Sequence, residues 1–251
     1  MRTLFFSSAV VALAVATFGI IAASAGEHQP HWTYDGKEGP KHWGELSGDF
    51  AACSLGHRQS PVDLTEADRA DMGEVELNWN ASAPVVSNNG HTIQAGAAPG
   101  NTTTFAGQTY TLAQAHFHHP SEHTIAGWRA PLEAHFVNRG ADGKLLVLGV
   151  MITEGDANPE IAKLWQAAPS TEGEAQANGT VDLASLVPAG SKFYRYEGSL
   201  TTPPCSEIVD WIVFADPITA SREQIDAFAK LYPDNSRPLQ QLHERTVVFG
   251  R

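Results

Sequence analysis

Read by its apolar and polar positions, the chain contains three kinds of segment. The first is an almost unbroken apolar run, "LFFSSAVVALAVATFGIIAA", at residues 4–23. It follows Arg2 and leads into the small residues Ala23–Gly26, the pattern of a secretory leader cleaved after Ala25. An uncleaved membrane anchor is the alternative, because the run nears the roughly 20 residues a span needs. The second kind has helical period. In "ANPEIAKLWQAA", Ile161, Leu164, Trp165 and Ala168 fall at i, i+3, i+4 and i+7, behind Asn158 as N-cap and Pro159 at the first helical position. In "SREQIDAFAKLYP", Ser221 and Gln224 have capping-box spacing, Ile225, Phe228, Ala229 and Tyr232 form the apolar stripe, and Pro233 stops the helix. The third kind is short strand material. "LLVLGVMI" (145–152) and "DWIVFADPI" (210–218) are continuous apolar runs that suit buried strands, while "QAHFH" (114–118) and "LEAHFVN" (132–138) alternate. Fifteen prolines and 22 glycines punctuate the chain, which favours many short strands over long helices.

Composition narrows the class. The chain has 251 residues, and residues 26–251 are expected to form one domain, since no linker divides them. A net charge of −12 argues against nucleic acid or an anionic membrane as partner. It suits an exported protein, periplasmic or secreted, with no membrane insertion after cleavage. Export would place the two cysteines, Cys53 and Cys205, in an oxidising compartment where a pair closes as a disulfide. A reactive thiol or a metal ligand would be the alternatives, and no CxxC spacing supports either.

The chemistry concentrates in "QAHFHHPSEHT", which holds four of eleven histidines. Side chains on a strand alternate faces, so Gln114, His116 and His118 share one face, with the two imidazoles about 7 Å apart at the backbone. Two ligands do not make a zinc site. If the strand over 132–138 is the neighbour, His135 completes a set of three, and three histidines plus a water position describe an open catalytic zinc site. Metal-bound imidazoles hand their other N–H to an acceptor. Gln114 and Glu133 each stand two residues before a histidine on the same face. His119 falls on the opposite face, before Pro120, and is left out. His28, His31, His42, His57 and His243 show no comparable spacing.

At these residues the chain resembles the alpha-class carbonic anhydrases. "HFHHPSEHT" and "LEAHFVN" are similar to that family's active-site strands. "HWTYDG", "GPKHWGEL", "RQSPVDL", "SNNGHTI", "LLVLGVMI", "YRYEGSLTTPPCSE", "VDWIVF" and "NSRPLQQLHER" follow in matching order, from about His31 to Arg245. The resemblance implies a mostly β single domain: a twisted, mostly antiparallel sheet of about ten strands with short peripheral helices. It implies a zinc enzyme that reversibly hydrates carbon dioxide to bicarbonate and a proton, through attack by zinc-bound hydroxide. The same nucleophile could attack an activated ester as a minor activity.

Roles carry over by position. His116, His118 and His135 match the zinc ligands, with Gln114, Glu133 and the carbonyl of Asn235 as the acceptors behind them. Thr201 resembles the threonine that donates to Glu122 and orients the nucleophile. His91 occupies the proton-shuttle position. Tyr34, Asn89 and Gln94 match the wall that holds the water chain, although the family more often has Asn where Gln94 stands. Val137, Val147, Leu200, Val209 and Trp211 match the apolar wall for carbon dioxide, with Thr202 lining the site. Cys53 and Cys205 match the family's extracellular disulfide. Inhibition by sulfonamides and anions is implied as well, and a homodimer is compatible.

Overall fold

The computed structural model describes residues 30–65 and 67–251. The expected leader over residues 1–25 lies outside them. Thirteen strands occur in chain order: β1 (Asp68–Ala70), β2 (Glu76–Asn78), β3 (Val85–Asn88), β4 (Ile93–Gly96), β5 (Thr102–Phe105), β6 (Gln108–His118), β7 (Leu132–Arg139), β8 (Leu145–Glu154), β9 (Gly173–Gln176), β10 (Phe193–Gly198), β11 (Val209–Phe214), β12 (Ile218–Ala220) and β13 (Val248–Gly250). All belong to one sheet. Its main path runs β1-β13-β10-β11-β8-β7-β6-β4-β3-β9, the expected ten strands, and β2, β5 and β12 lie off it. Parallel pairing is confined to β1 with β13 and to β8 with β11 and β12, so the sheet is mixed but mostly antiparallel.

Local chemistry explains the elements. The β5–β6 hairpin turns on Ala106 and Gly107, both at positive φ (49° and 75°), which is the two-residue geometry that matches strand twist. Among the described residues four α-helices lie outside the sheet: α1 (Trp43–Leu46), α2 (Ala52–Leu55), α3 (Pro159–Ala167) and α4 (Arg222–Leu231). Asn158 caps α3 through Glu160 N and Ile161 N, and both halves of the Ser221–Gln224 box are made at α4. The two helices bury Ile161, Leu164, Ile225 and Phe228, about 1.5–3 kcal/mol each by area burial. Trp165 stacks on Phe228 and meets Phe117 edge-on, which seats both helices on the sheet. Among the described residues no helix is long and apolar enough to cross a membrane.

The centre of the sheet is buried on both faces. Leu132, Ala134 and Phe136 of β7, with Ala115 and Phe117 of β6, join the larger apolar cluster. The opposite face of the same strands carries His116, His118, Glu133 and His135. A second apolar cluster, which includes Val147, Met151, Trp211 and Val213, lies beside them. The alternation in "LEAHFVN" therefore separates a dry face from a polar one, although both are covered.

Candidate metal centre and active site

Strand register assembles the candidate ligands. In the β6–β7 pair, His116 stands opposite His135 and His118 opposite Glu133, and a bulge between Leu112 and Gln114 brings Gln114 opposite Val137. Cross-strand partners share a face, so the expected set is on one surface. The three rings lie 4.6–5.2 Å apart, centroid to centroid. One ring nitrogen from each of His116, His118 and His135 falls within a 4.8 Å cluster, close enough to hold one cation.

The other ring nitrogens decide which atoms face the centre. Gln114 Oε1 accepts from His116 Nδ1 at 2.9 Å, and the Asn235 carbonyl accepts from His118 Nδ1 at 2.8 Å. Glu133 Oε1 accepts from His135 Nε2 at 2.8 Å. These acceptors fix the tautomers and leave His116 Nε2, His118 Nε2 and His135 Nδ1 as lone pairs. Buried and without a hydrogen bond, His118 Nε2 is an orphan that a cation would satisfy.

Electrostatics agree with that reading. Burial, aided by the two neighbouring rings, holds His116 well below the usual histidine range. Burial likewise brings His118 down to about 4. His135 is lowered by burial, although Glu133 beside it pulls the other way. All three imidazoles are thus neutral at pH 7, the ligating form. For Glu133, burial alone would raise the carboxyl, but His123 and His135 outweigh it and hold the group well below its ordinary range. Its two oxygens accept from Glu122 N, His123 N, His123 Nδ1 and His135 Nε2, at 2.8 to 2.9 Å. A glycine makes room for this: a Cβ on Gly149, opposite His135 in β8, would stand 3.0 Å from Glu133 Oε1. That accounts for the glycine inside "LLVLGVMI".

Glu122 is fully buried beside the ligands, with Oε2 3.5 Å from His118 Nε2 and 3.9 Å from His135 Nδ1. Burial raises its carboxyl to about 7, opposed by His135, the Arg237 N–H and the Thr201 hydroxyl. Arg237 N donates to Oε1 at 2.8 Å. The Thr201 hydroxyl favours the ionised form, and Oε2 is left without a hydrogen-bond partner. Val137, Val147, Val209 and Trp211 are all buried in the second apolar cluster, with Leu200 packed against it. Thr201 is buried and Thr202 partly so, and the Thr202 carbonyl accepts from Cys205 N at 2.9 Å.

His91 lies in the β3–β4 turn after Gly90, which has a φ of 83°. Its ring stacks on Trp32 at 3.7 Å and 7°. Asn89 spends its side-chain oxygen on the turn, accepting from His91 N and Thr92 N. Gln94 stands opposite His116 in the β4–β6 pair. A cleft of about 460 Å³ opens beside His91, and His31, Tyr34, Asp35, Glu172, Tyr232 and Asp234 are its titratable lining. Burial and then His31 lower the His91 pKa, while Glu172 raises it. Glu172→Gln should therefore lower the His91 pKa further. A histidine NMR titration of the two proteins reads this directly, and an upward shift would contradict the assignment.

Sequence reasoning missed several supports. Arg237 is buried, and its guanidinium donates to Gln59 Oε1, Ser60 O and Cys53 O. The Asn235 side chain ties the ligand strand to the His91 turn, donating to His91 O and Phe117 O and accepting from His119 N. Neither role has a spacing signal, because each links distant segments. Trp32 had one: it stands in "HWTYDG", a segment already matched. His119 turns away, its Nδ1 2.8 Å from Pro233 O, as alternation predicts. Cys53 and Cys205 do form a disulfide.

A family model described as eukaryotic-type carbonic anhydrase matches residues 38–250. A carbonic anhydrase of Pectobacterium carotovorum is 44% identical over 87% of this chain and 90% of its own length. One from Neisseria gonorrhoeae is 41% identical over 98% of both. The alpha-carbonic anhydrase of Thermovibrio ammonificans, solved with the inhibitor sulfanilamide, superposes with a TM-score of 0.86 at 42% identity, covering 88% of this chain and 99% of that one. With its three-histidine face and a match along most of its length, the chain belongs to the eukaryotic-type, or alpha, carbonic anhydrase family.

Proposed function

We propose that the protein is an exported zinc enzyme that reversibly hydrates carbon dioxide to bicarbonate and a proton. One observation carries the reading. Three neutral imidazoles converge, His118 and His135 buried and His116 half-buried, and each has its second nitrogen committed to an acceptor. That donor set fits zinc, which takes histidine nitrogens and, in catalytic sites, three protein ligands. When bound, zinc supplies a Lewis acid that makes water ionise near neutral pH, an effect for which carbonic anhydrase is the standard example.

The protein's own groups do the rest. His116, His118 and His135 hold the ion, and Gln114, Glu133 and the Asn235 carbonyl hold the rings. The Thr201 hydroxyl donates its proton toward Glu122, which leaves its oxygen free to accept from the attacking oxygen and so to orient it. A cation beside Glu122 favours its ionised form, the form that accepts from Thr201. Carbon dioxide is apolar and needs only a dry wall, which Val137, Val147, Leu200, Val209 and Trp211 provide, with Thr202 at the edge. Tyr34, Asn89 and Gln94 hold water between the centre and His91. His91 accepts the proton and passes it to buffer. Export is supported by the leader-like residues 1–25 and by the disulfide, which belongs to an oxidising compartment.

Stopped-flow hydration with metal analysis tests the proposal. The expected result is one zinc per chain and hydration sensitive to sulfanilamide, whereas zinc-loaded protein without hydration would overturn it. His91→Ala should slow turnover in weak buffer by about 10-fold or more, within the range for a lost proton-transfer group, and added imidazole should restore part of it. Unchanged turnover in weak buffer would remove His91 from the role.

A further inference from the structure

We propose that His57 and His243 form a second, surface site for a divalent transition-metal cation, with water completing the coordination. Neither residue belongs to the site described above. They come from segments 186 positions apart, yet their rings lie 5.5 Å apart at an interplanar angle of 66°. The three rings of the candidate metal centre have centroids 4.6–5.2 Å apart and angles of 50–87°. The exposed pair therefore nearly reproduces the spacing of rings that converge on one point.

Hydrogen bonding leaves the pair's ring nitrogens free. His31, His42, His116, His118, His119, His123 and His135 each place a ring nitrogen on a protein oxygen. The rings of His57 and His243 have no such partner among the described residues; the one other such ring there is that of His91, which is stacked on Trp32. Both loops are nevertheless anchored. Gln240 N donates to Pro61 O at 2.7 Å, which docks one loop on the other. Arg58 N donates to Glu207 Oε1 at 2.6 Å, and the Gln59 side chain is fixed on Cys205 O at 3.1 Å. Arg245 holds its own turn through Leu242 O and Gln241 O. His243 itself sits at φ +52°, a sparsely populated region for a residue with a Cβ, kept by that surrounding turn. Preorganised ligands lose little entropy on binding.

Nearby arginines would repel a cation if left unpaired. Arg58 is paired with Glu197 and Glu207. Arg245 has no carboxylate partner among the described residues, but its guanidinium is held away on the Tyr196 ring and on the carbonyls of Glu197, Leu242 and Gln241. Imidazole donors select zinc, nickel and copper over magnesium or calcium, and copper(II) binds most strongly in that series. With two protein ligands rather than three, the site is the weaker of the two.

The probe is copper(II), titrated into the full zinc-loaded chain by calorimetry and electron paramagnetic resonance. Zinc content is followed alongside, so that copper replacing zinc is not counted. The expected result is one added equivalent with nitrogen hyperfine structure. His57→Ala and His243→Ala should each weaken it by about 10-fold or more, whereas His42→Ala should leave it unchanged. The proposal is overturned if the wild type takes up no added copper, or if either His57→Ala or His243→Ala binds it as the wild type does. Both side chains are exposed, so the variants should fold, and circular dichroism checks that.

Discussion

Replacing His135 with Ala should abolish zinc binding and hydration together. Two ligands remain on β6, and neither can hold the ion against solvent without the third. Even the acceptors behind metal ligands are worth about 10–100-fold in affinity or activity, so losing a ligand should cost more than about 100-fold. The fold should survive with a smaller loss. Glu133 loses one of its four donors, and a buried acceptor deprived of a partner costs about 1–3 kcal/mol. Metal analysis, stopped-flow hydration and a melting curve separate these effects. An active variant free of zinc would sink the mechanism, and an unfolded one would show that Glu133 depends on His135 more than a single bond implies.

Removing the disulfide should be the largest single loss of stability. Cys53 and Cys205 are 152 residues apart, and closing a loop of that length contributes about 4 kcal/mol or more in the chain-entropy account. The Cys53→Ser, Cys205→Ser double variant should melt about 10 °C lower, given about 2–4 °C per kcal/mol for a domain this size. Zinc content should stay at one per chain, because no ligand lies on the affected loops. An unchanged melting temperature would mean that the reduced chain is already constrained elsewhere. Cys53 O and Cys205 O, held by Arg237 and Gln59, are the contacts that could do so.

Much of this was legible in the chain, and the reason differs by element. Strand alternation alone put His116, His118 and Gln114 on one face and turned His119 away, because a period of two is geometric. Both capped helices followed from side chains that satisfy their own first turns. His135 needed one assumption, that β7 neighbours β6, and the register bears it out. Thr201, Glu122 and His91 carried no such internal signal and came through the resemblance. The Arg237 network and the ties from Asn235 were out of reach, since they join segments more than a hundred residues apart through side-chain geometry. Glu172 was equally hidden. Nothing local marks it as the neighbour of Gly90, where a Cβ would stand 3.0 Å from its carboxylate.

The four hydrogen bonds on Glu133 have a consequence for loading. His123, Glu133 and His135 form a second group of donors close enough to hold a cation, and it shares His135 with the first. An ion there would have to evict the protons on His123 Nδ1 and His135 Nε2, each held 2.8 Å from Glu133 Oε1. His123 Nε2, on the far side of that ring, is 2.6 Å from the Tyr196 hydroxyl. Those protons act as placeholders. They leave Nδ1 as the open nitrogen of His135, so an incoming metal is steered to the correct side of a shared histidine without any need to measure its size.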